Sequence, residues 1–264
     1  MTASLQTPTP VVFDAYAAYY DLLYADKDYD AESDYIHDLI QRYQPTTRTV
    51  LELGSGTGRH ALLLAERGYH IQGVELSTSM LELAGRHCLQ ASLDVRERVA
   101  FSVGDLRTVK LGRTFDCVLS LFHVISYQVS NEDLKAAFRT IREHLSPGGI
   151  AIFDFWYGPA VLAQRPSVRV MRKTSGDLSV TRIAEPDLDT ESSICRVNYE
   201  IFIGRDGDRV DVIHETHPMR YLFMTELDLL LEQSQMVRVA SQGWLTDSAP
   251  SEQTWGACVV VKAL

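Results

Sequence analysis

Between about Thr49 and Phe155, short apolar runs alternate with stretches in which apolar residues recur every three or four positions. The first pattern suits strands and the second helices, so the rhythm predicts a doubly wound, mostly parallel sheet. Val50-Leu51-Glu52-Leu53 reads as the first strand, and His60-Ala61-Leu62-Leu63-Leu64-Ala65-Glu66-Arg67 as the helix after it. Ile71-Gln72-Gly73-Val74, Phe101-Ser102-Val103 and Thr114 to Phe122 supply three further strands. A turn at Ser146-Pro147-Gly148-Gly149 leads into a fifth, Ile150 to Asp154. Upstream, Phe13 to about Tyr43 has helical spacing, with Tyr16, Tyr19, Tyr20, Leu23 and Tyr24 on one stripe. Residues 1–12 are rich in Thr and Pro and offer little to bury, so a disordered tail is expected there.

After Phe155 the rhythm changes. Residues 168–173, 178–184, 194–203 and 209–224 are β-prone, and Cys195-Arg196-Val197-Asn198-Tyr199-Glu200-Ile201 alternates as a strand with one buried face should. Turns are expected at Ser175-Gly176-Asp177, Glu185-Pro186-Asp187 and Gly204 to Asp208, which makes this region an antiparallel sheet. Thr225 with Asp228 resembles a helix start, with Leu227, Leu229, Leu230 and Leu231 as the buried face. Met236 to Gln242 and Ala257 to Lys262 would be the last two strands. The chain thus divides into a core, 13–157 with 225–264, and an insertion, 158–224. The insertion leaves the sheet at the carboxyl edge, where doubly wound folds bind ligands, and is placed to act as a lid.

The first predicted strand runs into glycines at alternate positions, Gly54, Gly56 and Gly58. Glycine lacks a Cβ, so such a loop lets backbone approach a ligand closely, and the following helix brings its N-terminus there. Glu75 stands at the tip of the second strand, where an acid can accept the hydroxyls of a ribose. A dinucleotide fingerprint needs glycine at the sixth loop position, and here that position is Arg59. The form Glu52-Leu53-Gly54-Ser55-Gly56-Thr57-Gly58 instead resembles motif I of the class I S-adenosylmethionine (SAM)-dependent methyltransferases. Three further family-like segments follow in order: Val103-Gly104-Asp105-Leu106, the strand Phe115-Asp116-Cys117-Val118, and Leu145-Ser146-Pro147-Gly148-Gly149.

The resemblance implies a seven-stranded Rossmann-like sheet and SAM as cofactor. It implies that Gly54, Gly56 and Gly58 wrap the cofactor's methionine portion and that Glu75 holds its ribose. Asp105 and Leu106 then meet the adenine, with Tyr20, Glu52, Arg59, Leu76, Met80 and Leu121 completing the cofactor site.

Composition narrows the acceptor. The 264 residues carry 25 basic and 35 acidic side chains, a net charge of −10, without a local cluster of Lys or Arg. Such a chain repels phosphate backbones, so nucleic acid is disfavoured as a partner. No apolar run approaches the ~20 residues of a membrane span, and no secretory pattern opens the sequence. Cys88, Cys117, Cys195 and Cys258 have no paired spacing, which suits reduced thiols in a cytoplasmic protein and gives no metal site. A monomer or homodimer acting on a small molecule is expected.

The layout also resembles small-molecule N-methyltransferases, particularly those that modify amino sugars carried on nucleotides. Methyl transfer mainly needs alignment, and a base where the amine arrives protonated. His123, just past the fourth strand, is the first candidate, then Tyr127 at the position where amino-sugar enzymes place a histidine, and Tyr24 from the early helix. Trp156, His217 and Arg220 are candidates for binding substrate, with Arg169, Arg182 and Glu200 as further wall residues. His214 and His217 lack metal-helix spacing, and Pro218 opposes a helix. Competing readings are a nicotinamide-dependent oxidoreductase on a related sheet and a SAM-binding protein without turnover. An acceptor oxygen is the alternative to nitrogen.

Overall fold

The computed structural model describes residues 17–205 and 210–264. The expected tail over 1–12, with Phe13 and Tyr16, lies outside the described residues, as does the turn at 206–208. Seven strands form the central sheet: β1 (Thr49–Leu53), β2 (His70–Glu75), β3 (Val99–Val103), β4 (Phe115–Ser120), β5 (Leu145–Tyr157), β10 (Met236–Gly243) and β11 (Gly256–Ala263). Their spatial order is β3-β2-β1-β4-β5-β11-β10, parallel from β3 to β5, with β11 antiparallel to both β5 and β10.

Alternation along these strands divides the core into two faces. Val118, Ala151, Phe153, Val259 and Val261 face α6 (Asn131–His144) and α8 (Met224–Gln233), whose Leu134, Phe138, Ile141, Leu227 and Leu231 are buried. Cys117, Leu119, Ile150, Ile152 and Val260 face α2 (Tyr29–Tyr43) and α3 (Arg59–Glu66) through Ile36, Leu39, Ile40, Ala61 and Leu64. Each large aliphatic removed from water in these layers contributes about 1.5–3 kcal/mol. The remaining helices are α1 (Ala17–Leu23), α4 (Thr78–Gln90), α5 (Leu93–Arg98) and α7 (Gly158–Gln164).

The insertion is an antiparallel sheet of β6 (Arg169–Ser175), β7 (Leu178–Asp189), β8 (Ile194–Arg205) and β9 (Asp211–Leu222). It joins the central sheet where Trp156 and Tyr157 of β5 pair in parallel with Tyr221 and Leu222 of β9. Val180, Ile201 and Ile203 pack on Tyr20 and Leu23 of α1, which in turn meet Met80 and Leu83 of α4. Helix α1 is therefore clasped between core and insertion.

Several local expectations are corrected. The helix over Phe13–Tyr43 is broken in the described part: α1 ends at Leu23, and Asp28 caps a second helix by accepting from the Ala31 N–H at 2.9 Å. Glu185-Pro186-Asp187 is no turn but lies within β7. Beyond Ala184 that strand pairs only with β8, an edge that tolerates proline's missing N–H. The Pro147-Gly148-Gly149 segment lies inside β5 as a bulge, where β5 advances from Leu145 to Ile150 while β4 advances from Phe115 to Cys117. Helix α8 starts at Met224, and the Glu226 carboxylate, rather than Thr225, reaches back to the Phe223 N–H. Leu229 is exposed on that helix, away from the buried Leu227, Leu230 and Leu231.

Candidate functional site

A cavity of about 450 Å³ opens at the carboxyl edge of β1, β2 and β4. Its floor is the loop Gly54-Ser55-Gly56-Thr57, and its walls include Glu75 and Leu76 after β2, Gly104 to Arg107 after β3, and Leu121 and Phe122 after β4. Tyr20 of α1 and Tyr29 of α2 close one side, while Tyr127, Gln128 and Pro218 form the side nearest the insertion. Of the sequence-derived cofactor residues, Tyr20, Gly54, Gly56, Arg59, Glu75, Leu76, Met80, Asp105, Leu106 and Leu121 line this space. Tyr29, Ser55, Thr57, His60, Phe122, Val124 and Pro218 also line it and were missed.

The glycines do different work. A Cβ on Gly54 would lie 2.6 Å from Val124 Cγ1, and one on Gly58 would lie 2.6 Å from Phe101 Cζ, so both admit packing neighbours. At Gly56 a Cβ would meet nothing within 4 Å, so this is the glycine that bares backbone to a ligand. Glu75 ties the loop to β2: its carboxylate accepts from the Gly56 N–H and the Ser77 N–H, each at 2.9 Å.

Glu52 lies under the floor, fully buried, with Oε2 lacking a hydrogen-bond partner. Burial, and secondarily the Glu75 charge, push its carboxyl up to about 8. Beside it, His60 Nε2 sits 2.7 Å from Glu32 Oε2, and Lys27 pairs with the same carboxylate. Burial opposes ionisation of Glu32, but the His60 hydrogen bond and the Lys27 charge outweigh it and hold this group at about 2. Lys27 Nζ also lies 4.5 Å from the ring centres of Tyr29 and Phe122, a cation–π cage at the cavity wall. The break between α1 and α2 creates this cluster, which is why helical periodicity concealed it.

Across the cavity, Asp105 is gripped by Arg107 through Nε at 3.0 Å and Nη2 at 2.6 Å, and Arg107 Nη1 reaches Asp133 at 2.9 Å. The Arg107 hydrogen bond holds the Asp105 carboxyl below its usual range.

The catalytic and substrate candidates separate into two groups. Tyr127 lines the cavity, and its hydroxyl lies 2.8 Å from His217 Nδ1. Tyr24 accepts from Arg182 Nη1 at 3.1 Å and packs edge-on to Phe122. His123 stands outside the lining. Its backbone N–H donates to the buried Asp154, and its Nδ1 is 2.6 Å from Asp154 Oδ2 without hydrogen-bond alignment. Trp156 packs between His123 and Trp255, and Arg220 spends donors on Val129 O (3.2 Å), Asn131 Oδ1 (2.8 Å) and Glu226. Glu52, Gly58, Tyr24, His123, Trp156, His217 and Arg220 are thus not among the residues that line the cavity.

Parallel strands in this order, with a glycine loop and a strand-tip acid on one cavity, make a Rossmann-like arrangement. Residues 50–149 match the family model described as a methyltransferase domain. The chain is 35% identical over 150 residues to a Streptomyces venezuelae dTDP-3-amino-3,4,6-trideoxy-α-D-glucopyranose N,N-dimethyltransferase, covering 56% of this chain and 60% of that protein. It is 29% identical over 212 residues to the Streptomyces fradiae dTDP-3-amino-3,6-dideoxy-α-D-glucopyranose N,N-dimethyltransferase, covering 80% of this chain and 78% of that one. Its fold is shared by a SAM-dependent methyltransferase from Clostridium acetobutylicum, with TM-score 0.79 and 21% identity over 95% of this chain and 98% of that one. Residues 50–149 of the chain are thus similar to a methyltransferase domain.

Proposed function

We propose that this protein transfers a methyl group from SAM to a nitrogen of a small metabolite, with an amino sugar carried on a nucleotide as the favoured acceptor. The observation that carries the reading is the Gly56 backbone, bonded to Glu75, on the floor of a cavity open at the carboxyl edge of the sheet. The residues fit the cofactor: an open glycine face, a strand-tip carboxylate, and an apolar wall at Leu76, Met80 and Leu106. When bound, the cofactor supplies a methyl carbon on a sulfonium, already activated towards a nucleophile.

The protein's own part is alignment in a largely apolar pocket, and alignment can supply roughly 7–11 kcal/mol of a barrier. In this reading Tyr127, which lines the cavity with Pro218 of β9, meets the incoming amine from the insertion side. Tyr24, with Arg182, and Trp156 border the same approach, while His123 positions the chain that carries Tyr127. Arg220 supports that approach from behind, joining β9 to the starts of α6 and α8. The names of the two Streptomyces relatives support an amino sugar as the acceptor class.

Calorimetry with SAM tests the cofactor, and mass spectrometry after incubation with dTDP-linked 3-amino sugars tests the acceptor. The expected products are heavier by one or two methyl groups. Failure to bind SAM removes the proposal. Binding without product across amine, hydroxyl and carboxylate acceptors would favour a sensor, and saturable NADH binding without SAM binding an oxidoreductase.

A further inference from the structure

Behind Tyr127 the insertion places a line of proton-exchanging groups. His217 Nδ1 is 2.8 Å from the Tyr127 hydroxyl, and His217 Nε2 is 3.0 Å from Glu215 Oε2. The imidazole is almost completely buried, its side chain 3% exposed, and that of Glu215 is 12% exposed. The three residues come from two separate parts of the chain, the 3₁₀ turn Val124–Tyr127 and strand β9, brought together by packing. Hydrogen-bond chemistry fixes the direction of the line. A carboxylate oxygen only accepts, so His217 Nε2 carries the proton; Nδ1 is then bare, and the Tyr127 hydroxyl donates to it.

We infer that Tyr127, His217 and Glu215 form a proton relay that lets this site methylate an amine arriving as an ammonium, with His217 as the net proton acceptor. The inference rests on the methyltransferase reading above and specifies the charge state of its substrate. Burial pushes the Tyr127 hydroxyl well above its ordinary value. A phenolate is therefore not held in waiting, and the hydroxyl must pass its own proton on as it takes one. One ammonium N–H proton moves to Tyr127 Oη while the Tyr127 proton moves to His217 Nδ1, giving an imidazolium facing Glu215. The freed nitrogen lone pair forms the N–C bond to the methyl carbon, and the C–S bond pair leaves with sulfur. One proton is left on His217 for each methyl transferred, and it returns to water at the Glu215 side.

The arrangement parallels a nucleophile–histidine–acid triad with a tyrosine at its head. Here Tyr127 touches the reacting atoms, whereas His217 and Glu215 act through it and are positioning residues. Tyr199 of β8 packs edge-on to His217, its ring centre 4.7 Å away, and Arg182 of β7 lies over the Tyr199 and Tyr24 rings. The Glu215 carboxylate faces the ring on the side away from Tyr127.

The test uses full-length protein labelled with ¹⁵N-histidine, with its eight histidines resolved by subtracting the His217→Asn spectrum. At pH 7.5 the relay requires a neutral His217 with its proton on Nε2. A proton on Nδ1, or a charged ring, overturns the relay whether or not any acceptor is turned over. In parallel, kcat is measured with SAM and dTDP-3-amino-3,6-dideoxy-α-D-glucopyranose from pH 6 to 9. His217→Asn and Tyr127→Phe should lower kcat by ~10²–10⁴-fold, the usual contribution of a positioned base. His217→Asn should also remove the acid limb of the profile while leaving the SAM Kd unchanged. Glu215→Gln, which retains an acceptor oxygen but no charge, should fall between wild type and His217→Asn. A kcat within twofold of wild type for His217→Asn overturns the relay. Wild-type protein that binds SAM yet methylates no amine counts against the proposed function, and the tautomer then decides the relay alone.

Discussion

Replacing Glu52 by glutamine isolates one titration from the rest of the protein. Glu52 lies on the α2–α3 face of β1, fully buried, with His60 Nδ1 3.9 Å away and one oxygen without a partner. Its carboxyl is raised from 4.5 to about 8. Between those values the folded chain holds a proton that the unfolded chain has lost. Stability from this group is therefore complete below about 4.5 and disappears as pH rises through 8. Each pH unit in that window is worth about 1.4 kcal/mol, so moving from pH 6 to pH 8.5 should cost the wild type about 2–3 kcal/mol through Glu52. Glu52→Gln cannot ionise and is spared this loss, while any cost of its buried amide is the same at both pH values. Urea unfolding of the cofactor-free proteins at the two pH values gives the difference directly. Glu32 runs the opposite way: held at about 2, it contributes above 4.5 and fails only as pH falls towards 2, outside this window. Parallel stability curves for wild type and Glu52→Gln would refute the burial argument, because Glu52 would then be charged in the folded state.

Three further outcomes follow from the same geometry. Glu75→Ala removes the acceptor for the Gly56 and Ser77 N–H groups and should weaken SAM binding by ~10–100-fold, about 1.4–2.8 kcal/mol; calorimetry showing an unchanged Kd would contradict the proposed ribose site. Gly54→Ala brings a Cβ within 2.6 Å of Val124 at φ +78°, so urea unfolding should show a loss of about 2–4 kcal/mol from backbone strain and overpacking. Adding Val124→Ala should recover the overpacking part but not the strain, and strict additivity of the two changes would argue against the contact. Arg220→Ala should lower stability by about 1–3 kcal/mol by leaving Glu226 and Asn131 without their donor, while the SAM Kd stays at its wild-type value.

The core was legible because its signals are local. Each strand alternates between two buried faces, the glycine loop is continuous in sequence, and Glu75 and Asp105 sit at strand tips that hydropathy marks. The antiparallel insertion was also visible, since β8 alternates and Gly176 marks a turn. What escaped depends on contacts between distant residues. Proline and acidic neighbours at 185–187 looked like a turn, but pairing with β8 overrides that preference. Tyr29 and Lys27 reach the site only because Asp28 restarts the helix after a break. Pro218 reaches the cavity because β9 runs back along the insertion to β5, a register that no pattern within β9 encodes. Arg220 looked suited to a substrate phosphate, yet its two Nη groups are spent on Val129, Asn131 and Glu226 at the starts of α6 and α8.

The segment after β4 shows most clearly why such a site resists reading from one dimension. Phe122 and His123 both have left-handed backbones, φ 65° and 63°, although neither is glycine. Each such residue costs about 1–2 kcal/mol. The buried Asp154 offsets part of that cost by accepting the His123 N–H, and it is itself fixed in β5 opposite Cys258. The sharp turn that results puts Phe122 on the cavity wall, seats Val124 against Gly54, and swings Tyr127 to His217 within about one turn of 3₁₀ helix. One strained segment thereby fixes the cavity floor at Gly54 relative to the Tyr127 hydroxyl. Strain retained at a functional site is the expected result when the surrounding packing over-determines it. His123 thus holds the turn through its backbone N–H, and Tyr127, four residues later, is the one of the two that lines the cavity.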